Sequence, residues 1–569
     1  MAEQGARNRE AYGGEELVFM ALGGLGEIGL NVYLYGIGSA RHRQWLMVDL
    51  GVTFPHEAEP GVDVVLPDLR FIEQEATALA GVVLTHAHED HIGAVIDSWP
   101  RLKAPIYATP FTAGMLRSKL VEHSGNLKLP ITEVPLGGRV NIGRFDVEFV
   151  TMSHSIPEPS GVAIRTPAGV VFHTGDWKLD QTPLIGDPTD EAKIRALGDE
   201  GVTALVCDST NAFRDGRSPS EVDVASSLAR IIKGSKRCVA VTLFASNVAR
   251  IRAIADAAKA TGRRLVVVGR SLHRVIQVAI DSGYLPQDFK SLDQTQFSYL
   301  EPNEVLALCT GSQGEPRAAL SRISEDEHPD VWLGSGDLVI FSSRTIPGNE
   351  RAVTRVLNNL ALLGCEILTD AEALVHVTGH PRREELRQMY GWLRPRVAIP
   401  MHGEARHLRE HARLAKAAGV PEVHTLTDGQ MVRIAPGPSA VIDEAPVGRL
   451  FRDGRLILPG DDGPVQERRK LSVVGLVAVA IALNRRGDVV GEPDVELDGI
   501  PTETASGESM EDLVLDAVDG TLASIPQPKR RDPALVRDAL KRAVRAAVEQ
   551  AWGKKPITKV LITRVEAKG

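Results

Sequence analysis

Residues 81–91 read GVVLTHAHEDH, an apolar run closed by Thr85-His86-Ala87-His88-Glu89-Asp90-His91. The β-branched pair Val82-Val83 and the flanking turn residues predict a strand with histidines at its end. Successive residues of an extended chain point to opposite sides, so His86 and His88, two apart, face the same way and can share one metal ion. Asp90 and His91 lie past the turn into the following helix and can reach a second ion. Imidazole and carboxylate without thiolate suit Zn²⁺ best, with Mn²⁺ as the second candidate. Any one of these side chains alone reads better as a satisfied polar group at a strand end. Four within six positions favour a metal site.

Two further strand ends supply what such a site lacks. Val150-Thr151-Met152-Ser153-His154 offers His154, and Phe172-His173-Thr174-Gly175-Asp176 offers Asp176, placed after a glycine to bridge both ions. His173 reads as structural. Asp49, closing residues 46–49, either orients a ligand imidazole or serves a turn. Upstream, Gly24-Leu25-Gly26-Glu27-Ile28-Gly29 matches G-x-G-x-x-G. A dinucleotide site needs a helix starting at these glycines. Here the strand-like Asn31-Val32-Tyr33-Leu34-Tyr35 follows instead, which predicts a tight hairpin.

The chain has 569 residues with a formal net charge of −9, a length that suggests about three domains. Hydrophobic content of 43% and charged content of 24% exclude wholesale disorder, collagen and coiled coil. The longest apolar run, residues 473–483, is too short to cross a bilayer. The N-terminal residues lack the apolar core of a signal peptide, so a cytoplasmic protein with no membrane partner is expected. Four scattered cysteines form no CxxC pair and suit a reducing compartment. Aromatics make up 5% of residues, too few for extended base-stacking platforms.

Short strands punctuated by Gly, Pro, Asn and Asp fill the first 208 residues, with a helix expected over 110–122. After Asp208, helices over 220–233 and 245–260 alternate with strands over 238–244, 264–268, 305–309 and 337–342, predicting a parallel α/β unit. Residues 436–464, rich in Gly, Pro and Asp, read as a linker. A small α+β domain follows, with a strand expected over 473–483. Its best-marked element is a helix that opens at Asp532-Pro533 and carries Leu540, Val544, Val548 and Trp552 on one stripe. Residues 529–569 hold twelve Lys+Arg against four Asp+Glu, a surplus best read as a solvated face.

In this order, the metal-site residues resemble the metallo-β-lactamase superfamily. The later stretches DSTN (208–211), FASN (244–247), TGSQGEP (310–316), IPGNE (346–350), HVTGH (376–380) and PMHGE (400–404) resemble its β-CASP group and, within that, the bacterial ribonuclease J family. The fold implied is α/β: a metallo-β-lactamase αββα sandwich with an inserted β-CASP α/β domain and a small C-terminal α+β domain. Expected boundaries are a flexible tail 1–15, sandwich 16–208, β-CASP 209–374, sandwich return 375–440, linker 441–465 and C-terminal domain 466–569.

The resemblance further implies metal ligands His86, His88 and His154 on one Zn²⁺ and Asp90, His91 and His402 on another, with Asp176 shared. Asp90, Asp176, Asp208 and His380 would be catalytic, and His380 would sit at the scissile or terminal phosphate. A phosphate pocket would draw on Ala245, Ser246 and Asn247 and on His376, Val377, Thr378, Gly379 and His380. Helix capping is an equal reading of Ser246 and Asn247. Thr378 stands where the family pattern has Ser, Pro381 replaces a small residue, and Arg344 replaces a Ser; Arg344 either strengthens anion binding or points to solvent.

The implied activity is two-metal phosphodiester hydrolysis of single-stranded RNA. It comprises 5′→3′ exonuclease action on 5′-monophosphorylated ends with endonuclease activity, in RNA maturation including rRNA processing and in decay. A homodimer or homotetramer through the C-terminal domain and RNA-decay partner proteins are also expected. The rival readings are a DNA-processing β-CASP nuclease, a small ester or thioester hydrolase on the same sandwich, and a scaffold without activity. The insert of roughly 160 residues ahead of His402 speaks against the ester hydrolase.

Overall fold

A computed structural model describes residues 15–123, 127–460 and 463–565. The expected tail, apart from residue 15, lies outside the described residues. The chain divides into two compact units: residues up to 53 with 65–450, and residues 54–64 with 451 onward.

Two mixed sheets form the heart of the first unit. One has eight strands, in the order Ala440–Glu444, Gln430–Ala435, Glu16–Gly23, Val32–Ser39, His42–Val48, Leu79–Val83, Ile106–Ala108 and Ile131–Glu133. The other has seven: Glu422–Val423, Val397–Met401, Ala204–Asp208, Gly169–His173, Ser160–Thr166, Phe145–Thr151 and Arg139–Ile142. Strand alternation decides what each face covers. Ala204 and Val206 join Phe19, Tyr35, Val48, Phe149 and Ile399 in the core between the sheets. Their neighbours Leu205 and Cys207 face outward onto Ile194, Leu386, Met389 and Leu414 of the covering helices. On the other side Trp45 meets Phe71 of the helix Arg70–Gln74, ring centroids 5.5 Å apart. These layers are the αββα sandwich the sequence led us to expect.

Strand direction positions the site. Ala204–Asp208 runs parallel to both Gly169–His173 and Val397–Met401, and two antiparallel steps make Phe145–Thr151 run the same way. In the facing sheet His42–Val48 runs parallel to Leu79–Val83. Residues that follow the C-terminal ends of these strands therefore gather along one edge, where α/β folds commonly bind ligands.

The chain leaves the sandwich after Asp208 and returns to the neighbouring strand Val397–Met401. Between them lies a six-stranded, all-parallel sheet in the order Leu292–Asp293, Arg264–Val268, Val305–Cys309, Val239–Thr242, Leu338–Phe341 and Glu366–Leu368. Its helix Glu221–Gly234 begins with a capping box of Ser220 and Asp223. The helix expected from 245 starts only at Val248, because the Asn247 side chain accepts from the Arg250 amide and so caps it there.

The segment expected as an irregular linker contains strands at Ala440–Glu444, Arg449–Asp453 and Leu456–Pro459 and the start of the helix Gly463–Val474. Local composition favoured turns there, while strand pairing such as Ala440–Glu444 onto Gln430–Ala435 supplied ladder partners. The apolar run 473–483 is likewise split. The helix ends at Val474, Gly475 takes φ 62° with its amide on the Leu471 carbonyl, and the strand Leu476–Leu483 follows.

That strand pairs antiparallel with Asp494–Asp498 and parallel with Ile557–Arg564 in the second unit. Its buried face packs on Val514 and Val518 of Met510–Ser524 and on Val536, Leu540, Val544 and Val548 of Pro533–Trp552. Asp532 caps the latter helix as expected, and Trp552 is half-buried at its end. All four cysteines are free thiols. No helix among the described residues is long and apolar enough to cross a membrane.

Candidate metal centre

The strand Leu79–Val83 ends three residues before His86, and the chain is extended at His88, at φ −69° and ψ 150°, before the short helix Glu89–Ile92. The expected two-residue spacing works as read: His86 Nε2 and His88 Nδ1 lie 2.9 Å apart. His154 Nε2 joins them 3.2 Å from His88 Nδ1, and Asp176 Oδ2 lies 3.8 Å from both His86 and His154. A second group shares Asp176. His91 Nε2 is 3.3 Å from Asp176 Oδ2 and 3.6 Å from Asp90 Oδ2; His402 Nε2 is 3.7 and 3.2 Å from the same atoms. A third cluster comprises Asp176, Asp208, His380 and His402. All nine residues thus converge, although His402 stands more than 300 residues from the HAHEDH turn.

The far nitrogen of nearly every imidazole is tied down, which fixes the tautomer. His154 Nδ1 donates to the Gly379 carbonyl at 2.6 Å. His91 Nδ1 donates to Asp49 Oδ2 at 2.7 Å, and Asp49 also accepts from the Thr85 amide and hydroxyl. With its hydroxyl hydrogen committed to Asp49, Thr85 accepts from His86 Nδ1 at 3.0 Å. Thr210 works in the same way: its hydroxyl donates to Asp208 Oδ1 at 2.7 Å and accepts from His402 Nδ1 at 2.8 Å. Four Nε2 atoms are therefore aimed inward. Asp49, left open between orienter and turn residue by the sequence, holds the His91 ring and also takes a left-handed φ of 62°.

This donor set fits cations. Nitrogens of His86, His88 and His154 crowd together with at most one hydrogen among them, a set that hydrogen bonding cannot satisfy but a positive ion can. Asp176 Oδ1 is buried without a hydrogen-bond partner among the described residues, an arrangement that is costly unless a charge compensates it. Burial alone would lower His402, yet Asp176, Asp208 and Asp90 hold it up at about 10. Burial pushes His88 down to about 4, leaving it a neutral ligand-type imidazole at pH 7. His173 is separate from the clusters: burial lowers it to about 3, and its Nδ1 shares a hydrogen bond of 2.9 Å with the Tyr35 hydroxyl.

Asp208 and His380 form a dyad, with His380 Nδ1 2.8 Å from Asp208 Oδ2 and the His380 side chain 20% exposed. Burial acts to lower this imidazole, but Asp208 and Asp176 overcome it and raise it. The HVTGH segment is pinned from two sides. Asn211 donates to Thr378 Oγ1 and to the His380 carbonyl, and a Cβ on Gly379 would come within 2.5 Å of the His154 ring. Val377 is buried, and His376 is half-buried, pushed down to about 3 by desolvation and the nearby Arg250 and Arg344 charges. Ala245 and Ser246 sit on the loop before the helix capped by Asn247.

Three contributors escaped sequence reading. Asn31 donates to the Asp90 carbonyl at 2.9 Å and is held by the Tyr33 hydroxyl. Thr210 carries a hydroxyl next to Asp208, a signal present in DSTN. The glycine-rich loop is the third. Leu25–Gly26 pairs in parallel with Gly403–Glu404, and the Gly24 carbonyl accepts from the His402 amide at 3.0 Å. Gly24 holds φ 91°, a conformation costly to other residues. The motif that imitates a dinucleotide fingerprint here supports a ligand-bearing loop.

Comparison with known proteins gives the family. Four family models match: a beta-lactamase superfamily domain over 58–196, a ribonuclease J beta-CASP domain over 235–360, a Zn-dependent metallo-hydrolase RNA specificity domain over 366–426 and a ribonuclease J C-terminal domain over 463–565. The chain is 52% identical to ribonuclease J of Sinorhizobium meliloti, covering 97% of this chain and 98% of that one. It is 40% identical to ribonuclease J of Mycolicibacterium smegmatis, over 94% and 95% of the two chains. A crystal structure of a protein of unknown function from Enterococcus faecalis V583 shares the fold at 15% identity and a TM-score of 0.50, covering 74% of this chain and 100% of that one. The chain therefore belongs to the ribonuclease J family and is a metal-dependent nuclease of the metallo-β-lactamase fold with a β-CASP insert.

Proposed function

We propose that the chain hydrolyses single-stranded RNA, acting 5′→3′ from 5′-monophosphorylated ends and also internally, with two Zn²⁺ ions per chain. The observation that supports this best is the pair of inward-facing donor groups that share Asp176. In this reading His86, His88, His154 and Asp176 hold one ion and Asp90, His91, His402 and Asp176 the other. Bound there, the ions supply Lewis acidity and a water made nucleophilic at neutral pH.

The remaining work falls to the chain. Asp49, Thr85, Thr210 and the Gly379 carbonyl keep the imidazoles in register. Asp208 orients His380 through Nδ1 and favours its protonated form, leaving Nε2 to hydrogen-bond a phosphate oxygen or to give its proton to the departing ribose 3′-oxygen. The 2′-hydroxyl is not the nucleophile, so the products carry 5′-phosphate and 3′-hydroxyl ends. The backbone and hydroxyl groups of 245–247 and 376–380 receive the terminal phosphate, as the resemblance implied. RNA maturation and decay in the cytoplasm is the setting we assign, with self-association through the C-terminal domain.

The test uses one RNA sequence prepared with 5′-monophosphate, 5′-triphosphate or 5′-hydroxyl ends and given to the metal-loaded chain. Rapid release of 5′-mononucleotides from the monophosphate substrate is expected. Cleavage giving 2′,3′-cyclic ends, or equal action on double-stranded DNA, would overturn the reading.

A further inference from the structure

Three segments that frame the HVTGH loop each carry an arginine. Asn211 bonds Thr378 and His380, and three residues later the Arg214 carbonyl accepts from the Arg383 amide at 2.9 Å. Ser342 donates to the Val375 carbonyl at 2.6 Å, and Arg344 follows two residues on. Arg382 stands two residues after His380. Backbone ties thus bring Arg214, Arg344 and Arg382 to one margin of the site, from three separate stretches of chain.

These guanidinium groups are unusual in what they lack. Among the described residues none of the three makes an ion pair, and Arg382 Nε is buried without a hydrogen-bond partner. Two nearby carboxylates are engaged elsewhere: Asp215 with Arg383 at 3.3 Å and Glu384 with Arg217 at 3.6 Å. Burial and the positive fields of Arg344 and Arg382 lower Arg214 even against the opposing Asp370, so the three cations feel one another. Gathering three like charges that outweigh the opposing Asp370 is unfavourable in the free protein, and a phosphate oxyanion relieves it by accepting from the planar, forked donors that suit phosphate.

We propose that Arg214, Arg344 and Arg382 form one cationic seat for RNA phosphate beside His380. The inference rests on the ribonuclease reading above and extends it to three residues with no role there. The occupant is a phosphate oxyanion, supplied either by the 5′-terminal group or by an internal phosphodiester.

The test is the salt dependence of KM for single-stranded RNA with the metal-loaded full chain. It compares the unaltered protein with Arg214→Gln, Arg344→Gln, Arg382→Gln and the control Arg195→Gln, whose side chain pairs with Glu191. Each seat variant should flatten the plot of log KM against log salt by about 0.7, with Arg344→Lys restoring most of the slope. Equal flattening on 5′-monophosphate and 5′-hydroxyl RNA assigns an internal phosphodiester; flattening on monophosphate RNA alone assigns the terminal group. Unchanged slopes in all three variants, or the same flattening in the control, would overturn the seat. Absence of RNA cleavage by the unaltered chain would instead overturn the functional reading beneath it.

Discussion

The histidine-lined edge and the arginine margin meet at HVTGH, yet they hold their charges in opposite ways. Along the edge, nearly every imidazole has its outer nitrogen tied to a carboxylate, hydroxyl or carbonyl, and the inner nitrogens face one another. At the margin the guanidinium groups have no ionic partner among the described residues. The first arrangement is rigid and electron-rich, built for cations that stay. The second keeps its donors open, as suits an anion that must arrive and leave. The buried cost of the first is offset by bound metal, and that of the second by substrate.

The largest effect should come from the inward side of the edge. His88→Ala removes a nitrogen 2.9 Å from His86 Nε2 and 3.2 Å from His154 Nε2. RNA cleavage should fall to background while circular dichroism stays native; activity near that of the unaltered chain would break the assignment. A smaller effect is expected from the outer ties. Asp49→Asn leaves every inward donor in place but weakens the hold on His91 Nδ1, so metal affinity measured by chelator competition should drop about 10–100-fold. An unchanged affinity would mean that the outer shell is dispensable.

The smallest effect separates this edge from ordinary buried histidines. His411 also has both nitrogens partnered, by the Ser209 hydroxyl at 2.8 Å and the Tyr390 hydroxyl at 2.9 Å, but its partners are neutral. Burial pushes it down to about 4. The unfolded chain takes up this proton near 6.5 and the folded chain near 4, so its contribution is complete above pH 6.5 and is lost as pH falls toward 4. Between pH 6.5 and 5 the unaltered protein should lose about 2 kcal/mol more unfolding free energy than His411→Gln in urea titrations. Equal losses would show that His411 is not held neutral.

What the sequence disclosed and what it hid divide along a physical line. The ligand types, the His86–His88 spacing and the strand ends carrying His154 and Asp176 are local, because period-two geometry and strand termination are written in neighbouring residues. The ties that fix the imidazoles are not local. Asp49 reaches His91 across 42 positions, and Gly24 supports His402 across almost the whole first unit. The segment read as a linker holds the division between the two units at 450/451 but also three strands, since Gly, Pro and Asp content reports turn preference and not the distant strand that supplies the hydrogen bonds. The glycine motif misleads in the other direction: its pattern is local, while its use is set by the partner loop at Gly403–Glu404.

Zinc content per chain, measured by plasma mass spectrometry after loading and desalting, tests the central claim most directly when the unaltered protein is set beside His402→Ala. A shared two-ion centre predicts two ions in the first and one in the second. Fewer than one ion in the unaltered chain, or equal content in both proteins, would contradict it.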